Sequence, residues 1–231
     1  MSSLGQRLAE IESRIATAVN SAGRSRNEVE LIVVSKNHPA QMVVDLLDLG
    51  IRSFGENRDQ EAKPKSDEVA TLVIDKGYDY TWHFIGQLQS NKVRSALSYA
   101  NVVHSLDRQS LLDALIKATA DRQTPLDVFV QLNLTDDPGR GGIEPKNLEE
   151  FALQVLAAPK LNLLGVMGVA SLDRAPEHDF ETIRSASQAL IGVAPKAKYI
   201  SAGMSEDFEA AIQFGATHLR IGSAITGKRQ Y

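Results

Sequence analysis

The chain has 231 residues, which suits one large α/β domain or two small ones, and its 43% hydrophobic content is ordinary for a globular protein. It has 25 Lys and Arg residues against 29 Asp and Glu residues, so no overall field favours binding to nucleic acid or anionic lipid. The absence of cysteine excludes disulfides, thiolate metal ligands and cysteine nucleophiles. Charges interrupt the stretch from Met1 to Gly23, so we expect no signal peptide, no membrane contact and a cytoplasmic protein.

Helical and strand-like patterns alternate along the whole chain. Apolar residues recur at helical spacing from Leu4 to Val19, and Glu30 to Ser35 is a β-branched apolar run typical of a buried parallel strand. Further predicted strands cover residues 53–56, 81–85, 102–105, 127–134, 162–169, 198–201 and 218–221. Further predicted helices cover residues 39–49, 57 to about 74, 90–98, 108–121, 146–157, 177–190 and 206–214. Within the second of these, the charged stretch from Asp59 to Glu68 mixes both signs, which is typical of a solvated helix face.

This alternation predicts one closed barrel over residues 1–231, because no linker or composition shift interrupts it. Eight parallel strands in a chain of this length are typical of a (β/α)8 TIM barrel. A doubly wound sheet more often uses about five or six strands and a glycine-rich first turn, and no such turn follows the first strand. A barrel places its chemistry at the C-terminal ends of the strands.

A lysine follows the first predicted strand. Lys36 comes directly after the apolar run, and partial desolvation at a barrel rim favours the neutral amine that attacks a carbonyl to form a Schiff base. A lysine that merely extends its ammonium into solvent from a strand end would give the same sequence. Lys36 alone leaves both alternatives open.

Two glycine-containing turns follow the last two predicted strands. The first contains Gly203 and, at Ser205, a residue placed to cap the next helix; the second contains Gly222 and Ser223. In TIM barrels these two loops commonly bind phosphate, where amides at helix N-termini meet the anion. Each turn alone is ordinary turn chemistry, but the pair opposite a strand-end lysine favours a phosphate ligand.

Strand alternation gives Arg220 an inward-facing position. If Leu219 and Ile221 face the helices, the guanidinium points into the barrel, where it needs a ligand or a carboxylate partner. Contact with a ligand and an ion pair with a strand-end acid, for instance Glu56 or Asp107, are the two alternatives.

Six segments in the same order resemble one family. They are Val33 to Lys36, Phe54 to Arg58, Trp82 to Lys92, His104 to Asp107, Gly203 to Asp207 and Arg220 to Gly227. Together they resemble the pyridoxal-phosphate homeostasis proteins, the YggS/PROSC group, nearly from end to end. The resemblance implies a single (β/α)8 barrel like the N-terminal domain of bacterial alanine racemase, binding pyridoxal 5′-phosphate without that enzyme's second domain.

The same resemblance implies which residues bind the cofactor. Lys36 would form the Schiff base, Asn57 would lie beside the cofactor ring, and Arg220 would face the pyridine nitrogen. The family's phosphate-binding loops would contain Ser201, Gly203, Ser205, Gly222 and Ser223, and Met204 is a further implied cofactor-binding residue. Arg140 stands where relatives usually have lysine, and Ala202 where a bulkier residue is common, which leaves open how these loops meet the ring.

These residues predict a cofactor carrier. An arginine at the pyridine nitrogen weakens the ring as an electron sink, and the five tyrosines offer no obvious second acid or base, with Tyr199 alone left open. We therefore expect a monomer in vitamin B6 homeostasis that holds pyridoxal 5′-phosphate on Lys36 without turnover and passes it to apo-enzymes. An amino-acid racemase and a Schiff-base aldolase that acts on a sugar phosphate are the alternatives.

The remaining candidate residues admit two interpretations each. His83 and His104 lie on predicted strands and are either polar groups near the cofactor or hydrogen-bonded core histidines. Trp82 is expected to pack in the core, and Lys92 contacts a substrate, a partner or only solvent. The other histidines, for example His218, show no spacing typical of a metal site.

Overall fold

The computed structural model describes residues 2–135, 141–171 and 173–227, so Arg140 lies outside the described residues. Its strands are β1 (Glu30–Val34), β2 (Ser53–Glu56), β3 (Thr81–Phe84), β4 (Val102–Leu106), β5 (Leu126–Gln131), β6 (Leu161–Met167), β7 (Tyr199–Ser201) and β8 (His218–Ile221). Its helices are α1 (Leu4–Ser21), α2 (Ala40–Asp48), α3 (Asp59–Leu72), α4 (Val93–Ala96), α5 (Gln109–Thr119), α6 (Leu148–Leu156), α7 (Pro176–Val193), α8 (Phe208–Gln213) and α9 (Ser223–Thr226). Short 3-10 helices cover Arg26–Glu28, Ser90–Lys92 and Pro145–Asn147.

The strands pair in parallel in chain order, and β1 also pairs with β8, which closes the barrel. The predicted (β/α)8 fold is therefore confirmed. In the register, Val33 lies beside both Ile221 of β8 and Phe54 of β2. The C-terminal ends of β8, β1 and β2 consequently share one rim, and the residues that follow these strands meet there.

The apolar core lies between the barrel and its helices. The inward face of α1 is buried at Leu8, Ile11, Ile15 and Val19, as its spacing predicts. Trp82 is also buried, with its ring centroid 5.6 Å from that of Phe54, which confirms its place in the core. Within the described ranges, no helix has both the length and the apolar character needed to cross a membrane.

One predicted helix start is wrong. The sequence assigned the cap before α8 to Ser205, but the N-cap residue is Asp207. Its carboxylate accepts a hydrogen bond from the main-chain N–H of Met204 at 2.6 Å, which closes the turn after β7. A short acidic side chain that bonds a nearby backbone N–H favours such turns, so α8 begins two residues later than Glu206.

Candidate functional site

A cavity of about 710 Å³ lies at the C-terminal mouth of the barrel. It is formed by the ends of β1, β2, β3, β6, β7 and β8 and the loops after them, where a TIM barrel places its binding site. Its walls combine apolar side chains with a few polar groups, a composition typical of small-molecule sites. The residues that line it are Val34, Lys36, Asn37, His38, Asn57, Ile85, Gly86, Val169, Met204, Arg220, Gly222, Ser223, Thr226 and Gly227.

Lys36 lies at the opening of this cavity, and its side chain is exposed. The prediction that the Lys36 amine is partly desolvated at the barrel rim is therefore wrong. The reason is that β1 ends at Val34, so Lys36 lies beyond the apolar part of the barrel. The next residue, Asn37, has a left-handed φ of 61°, a conformation that asparagine tolerates better than most residues.

The backbone on both sides of Lys36 is held by charged side chains. The Lys65 ammonium donates to the main-chain carbonyl of Ser35 at 2.9 Å and to the Glu56 carboxylate at 2.7 Å. The Ser35 hydroxyl donates to the same carboxylate at 2.8 Å, and Asn37 N–H donates to the Glu61 carboxylate. These contacts fix the position from which the Lys36 side chain extends.

The interpretation of the stretch from Asp59 to Glu68 as a solvated helix face is wrong for two of its residues. Both Lys65 and Asp59 are buried, at 6% exposure each. Because α3 packs against the barrel with Lys65 directed at the ends of β1 and β2, the ammonium reaches buried acceptors rather than water. Burial raises the pKa of Glu56, and the ion pair with Lys65 opposes that rise.

Arg220 faces into the barrel, as strand alternation predicts, and is 4% exposed. One guanidinium nitrogen donates to the Ser201 hydroxyl at 2.6 Å, and the other donates to the Gly168 carbonyl at 2.9 Å. Burial lowers the pKa of Arg220 to about 10, and the nearby Asp207 carboxylate opposes that shift. The guanidinium is therefore charged at neutral pH.

The structural ion pair considered for Arg220 does not form. Glu56 pairs with Lys65, and Asp107 pairs with Arg108. In the part of the chain that the structure describes, no carboxylate forms an ion pair with Arg220. A buried guanidinium without such a partner favours the alternative that it contacts a ligand.

The structure separates the predicted site residues into two groups. Lys36, Asn57, Met204, Arg220, Gly222 and Ser223 line the cavity, whereas Ser201, Gly203 and Ser205 do not. Ser201 is fully buried beneath Arg220. Gly203 has a φ of 91°, and a Cβ there would lie 2.8 Å from the Cβ of Ala211, so this glycine lets the turn pack on α8.

Gly86 is a site residue that the sequence analysis did not single out. A Cβ at this position would lie 2.2 Å from the main-chain oxygen of Asn57 and 2.6 Å from its Cβ. The absence of a side chain therefore allows the loop after β3 to cross directly over Asn57. A glycine two residues after a buried strand was the available signal for such a close approach.

The comparisons with known proteins agree on one family. Residues 7–230 match the model of the alanine racemase N-terminal domain. The pyridoxal phosphate homeostasis protein of Mycobacterium leprae is 40% identical, over 98% of this chain and 93% of that protein. The Escherichia coli protein of the same name is 36% identical, over 100% of this chain and 99% of that protein. The chain belongs to the pyridoxal phosphate homeostasis protein family.

A solved structure from the same group is similar along the whole barrel. PipY of Synechococcus elongatus, solved with pyridoxal phosphate bound, is 30% identical, with a TM-score of 0.82 over 97% of this chain and 100% of that chain. Together with the family match, this full-length agreement confirms the resemblance drawn from the six segments.

Two of the histidines, His83 and His104, are core residues in this family member. His83 and His104 are buried, their facing ring nitrogens are 2.9 Å apart, and neither lines the cavity. This confirms the interpretation as hydrogen-bonded core histidines. Burial lowers the pKa of both imidazoles, so both are neutral at physiological pH.

Tyr199 and Lys92 lie away from the cavity. Tyr199 lines a separate cavity at the opposite, N-terminal mouth of the barrel, so it does not face the site of Lys36. Among the described tyrosines, none lines the cavity with Lys36 and Arg220. Lys92 lines a neighbouring depression of about 460 Å³ that shares Asn57 with the main cavity.

Proposed function

We propose that this protein binds pyridoxal 5′-phosphate at the C-terminal mouth of its barrel, through a Schiff base to Lys36, and that it holds the cofactor for intracellular homeostasis. The observation that carries this proposal is that the Lys36 amine and the Arg220 guanidinium line the same cavity. Relatives that match the whole chain are named for pyridoxal phosphate homeostasis, and PipY was solved with pyridoxal phosphate bound. These names support the proposal.

The residues that line the cavity fit this cofactor. Pyridoxal 5′-phosphate supplies an aldehyde that condenses with a primary amine, a pyridine nitrogen that accepts a hydrogen bond, and a phosphate. Lys36 provides the amine, and Arg220 is a charged donor without a carboxylate partner among the described residues. Gly222 and Ser223 provide a close main-chain approach and a hydroxyl at the start of α9.

Each residue has a distinct task in this proposal. Lys36 holds the cofactor covalently, from a backbone that Ser35 and Asn37 fix by their contacts with charged side chains. Arg220 donates a hydrogen bond to the pyridine nitrogen and thereby disfavours its protonation. Asn57 lies beside the cofactor ring, and Met204 lines the same cavity from the loop after β7.

Holding the cofactor without turnover is favoured over racemisation. A racemase needs acid and base groups on both faces of the reacting carbon, and Tyr199 lies at the wrong mouth of the barrel to be one of them. An unprotonated pyridine nitrogen also stabilises a carbanion poorly. Because Lys36 is exposed, an amine from outside can reach the bound aldehyde carbon, which suits exchange with a recipient.

We further propose that residues 1–231 form one domain, that it acts as a monomer in the cytoplasm, and that apo-enzymes dependent on pyridoxal 5′-phosphate receive the cofactor.

The transfer of cofactor can be tested by an equilibrium assay. In this assay the loaded protein is separated by a membrane permeable to the cofactor from an apo-enzyme of this class. Activity recovered by the apo-enzyme supports the carrier role, and a loaded protein that never releases cofactor contradicts it.

A spectroscopic titration tests cofactor binding itself. The wild type with pyridoxal 5′-phosphate is expected to develop a visible absorption band, and Lys36→Ala is expected to lose it. Lys146→Ala is the matched control, because this side chain is 77% exposed and pairs with Glu144 at the surface. If the holoprotein racemises single amino-acid enantiomers at enzymatic rates, the carrier proposal is wrong. A colourless protein that cleaves a sugar phosphate would instead favour the aldolase.

A further inference from the structure

A series of buried polar side chains runs through the barrel interior behind Arg220. The Arg220 guanidinium lies 2.6 Å from the Ser201 hydroxyl, which lies 2.8 Å from Nδ1 of His104. Nε2 of His104 lies 2.9 Å from Nδ1 of His83. Nε2 of His83 lies 3.5 Å from the Glu30 carboxylate, which is an electrostatic contact longer than an ordinary hydrogen bond.

This series, which we term the interior chain, connects the two mouths of the barrel. Arg220 lines the cavity at the C-terminal mouth, and Glu30 and His83 line the separate cavity at the N-terminal mouth. The link between them, His104, is fully buried, and its ring stacks on Phe129 with centroids 4.5 Å apart. The stacking holds the imidazole plane so that both of its nitrogens keep their partners.

The two ends fix the direction in which the chain donates its hydrogens. A guanidinium can only donate, and an ionised carboxylate can only accept. Although burial alone would raise the pKa of Glu30, its contacts with His218 and His83 hold that pKa far below its usual range, so the carboxylate is ionised. His83 must therefore present an N–H at Nε2 to Glu30, because a lone pair there would be repelled.

The remaining hydrogens follow from this constraint. A neutral imidazole has one N–H, so Nδ1 of His83 accepts from Nε2–H of His104. Nδ1 of His104 then accepts from the hydroxyl of Ser201. Among the described residues, His104 is the one acceptor for this hydroxyl, because in its other contact the hydroxyl accepts from Arg220. Three of the four donors, on Arg220, Ser201 and His104, thus find an acceptor in a single direction, and Nε2–H of His83 faces Glu30 at the longer electrostatic distance.

We propose that Ser201, His104, His83 and Glu30 are positioning residues that orient Arg220 toward the pyridine nitrogen of bound pyridoxal 5′-phosphate. This inference rests on the proposed function and deepens it. The Ser201 hydroxyl directs its own hydrogen to His104 and so meets Arg220 as an acceptor. Together with the Gly168 carbonyl, it anchors the two terminal guanidinium nitrogens and fixes the plane in which Arg220 faces the cavity.

The interior chain gives Ser201 a task that differs from phosphate binding. Its side chain is fully buried and does not line the cavity, so it acts on the cofactor through Arg220. His83 lies on the far side of His104, and its influence on the cofactor is likewise indirect. A spectral change on altering either residue therefore reports the orientation of Arg220, because neither residue touches the ligand.

Nitrogen NMR of the wild-type protein with labelled histidine tests the direction without any substitution. Both His83 and His104 are expected as the neutral tautomer with its hydrogen on Nε2. A hydrogen on Nδ1 in either residue would overturn the interior chain. This measurement uses the protein without added cofactor, so its outcome is independent of whether pyridoxal 5′-phosphate binds.

Ser201→Ala tests the effect on the cofactor. We expect its affinity for pyridoxal 5′-phosphate to fall about tenfold, the loss typical of one hydrogen bond to a charged group, and the visible band to shift. Ser105→Ala is the matched control, since this neighbouring hydroxyl is equally buried and has no hydrogen-bond partner within the described residues. The control is expected to keep both the affinity and the spectrum of the wild type.

His83→Gln extends the test to a residue remote from the cavity, and a band shifted in the same sense as in Ser201→Ala supports the chain. An unchanged affinity and spectrum in Ser201→Ala would overturn the positioning role. A wild type that binds no pyridoxal 5′-phosphate would overturn the proposed function, and the tautomers would then still decide whether the interior chain exists. Melting curves of each variant separate loss of fold from loss of positioning.

Discussion

The Lys65 ammonium donates a hydrogen bond to the main-chain carbonyl of Ser35 at 2.9 Å, one residue before Lys36. The same ammonium pairs with Glu56 at 2.7 Å and with Glu61 at 2.9 Å. A lysine of α3 thus holds together the ends of β1 and β2, where the candidate binding residues begin. Burying these charges is tolerable only because each has a partner.

Replacing Lys65 by methionine is expected to lower the free energy of unfolding by about 3–5 kcal/mol. The loss arises because the fully buried Glu56 would keep its carboxylate without a cationic partner. Urea denaturation followed by circular dichroism measures the change. Lys63→Met is the control, because its pair with Asp67 spans 3.8 Å at the surface and is worth less than about 1 kcal/mol. Equal losses in both variants would contradict the account.

The buried histidines predict how stability depends on pH. Burial lowers the pKa of His104 and of His83 below the ordinary value of 6.5, so the unfolded chain takes up protons that the folded chain does not. Their contribution is therefore fully present above about pH 6.5 and is lost as the pH falls. The loss approaches about 1.4 kcal/mol per pH unit for each histidine.

The comparison of wild type with His104→Gln isolates this contribution. The groups that act on the two imidazoles are Glu30, Asp127, His218 and Arg220, and they remain in the variant. Burial raises the pKa of Glu56 and of Asp207, which gives the opposite trend with pH but affects both proteins alike. The wild type is expected to lose stability more steeply below pH 6.5 than the variant, and parallel curves would contradict this.

Gly86→Ala is expected to impair the site. Because a Cβ would lie 2.2 Å from the Asn57 main-chain oxygen, either the loop after β3 or Asn57 must move. We expect affinity for pyridoxal 5′-phosphate to fall by at least about tenfold and stability to fall by about 1–3 kcal/mol, measured by titration and denaturation. Gly192→Ala in α7 has no atom within 4 Å of the new Cβ. The free energy of unfolding of Gly192→Ala should rise by up to about 1 kcal/mol. If Gly86→Ala proves more stable than Gly192→Ala, that result counts against the site geometry.

The sequence predicted the barrel because its signals are local. β-branched runs such as that of β1 and amphipathic spacing such as that of α1 report buried faces directly. Lys36 and Arg220 could be found for the same reason, since their positions relative to a strand follow from counting along the chain.

The supporting contacts could not be predicted in the same way. Burial of Lys65 depends on which face of α3 meets the barrel, and the mixed charges around it are typical of a solvated surface. The interior chain depends on the register of β3, β4 and β7, which brings His83, His104 and Ser201 together across the barrel. Alternation shows that a residue faces inward, but not which inward residues meet.

Reduction of the holoprotein with borohydride, followed by mass-spectrometric peptide mapping, tests the central claim most directly. The account predicts one pyridoxyl-phosphate adduct, on the peptide that contains Lys36 and on that residue itself. The buried Lys65 should remain unmodified, since its ammonium faces Ser35 and two carboxylates. An adduct on another lysine, with Lys36 unmodified, would contradict the assignment of this residue as the one that binds the cofactor.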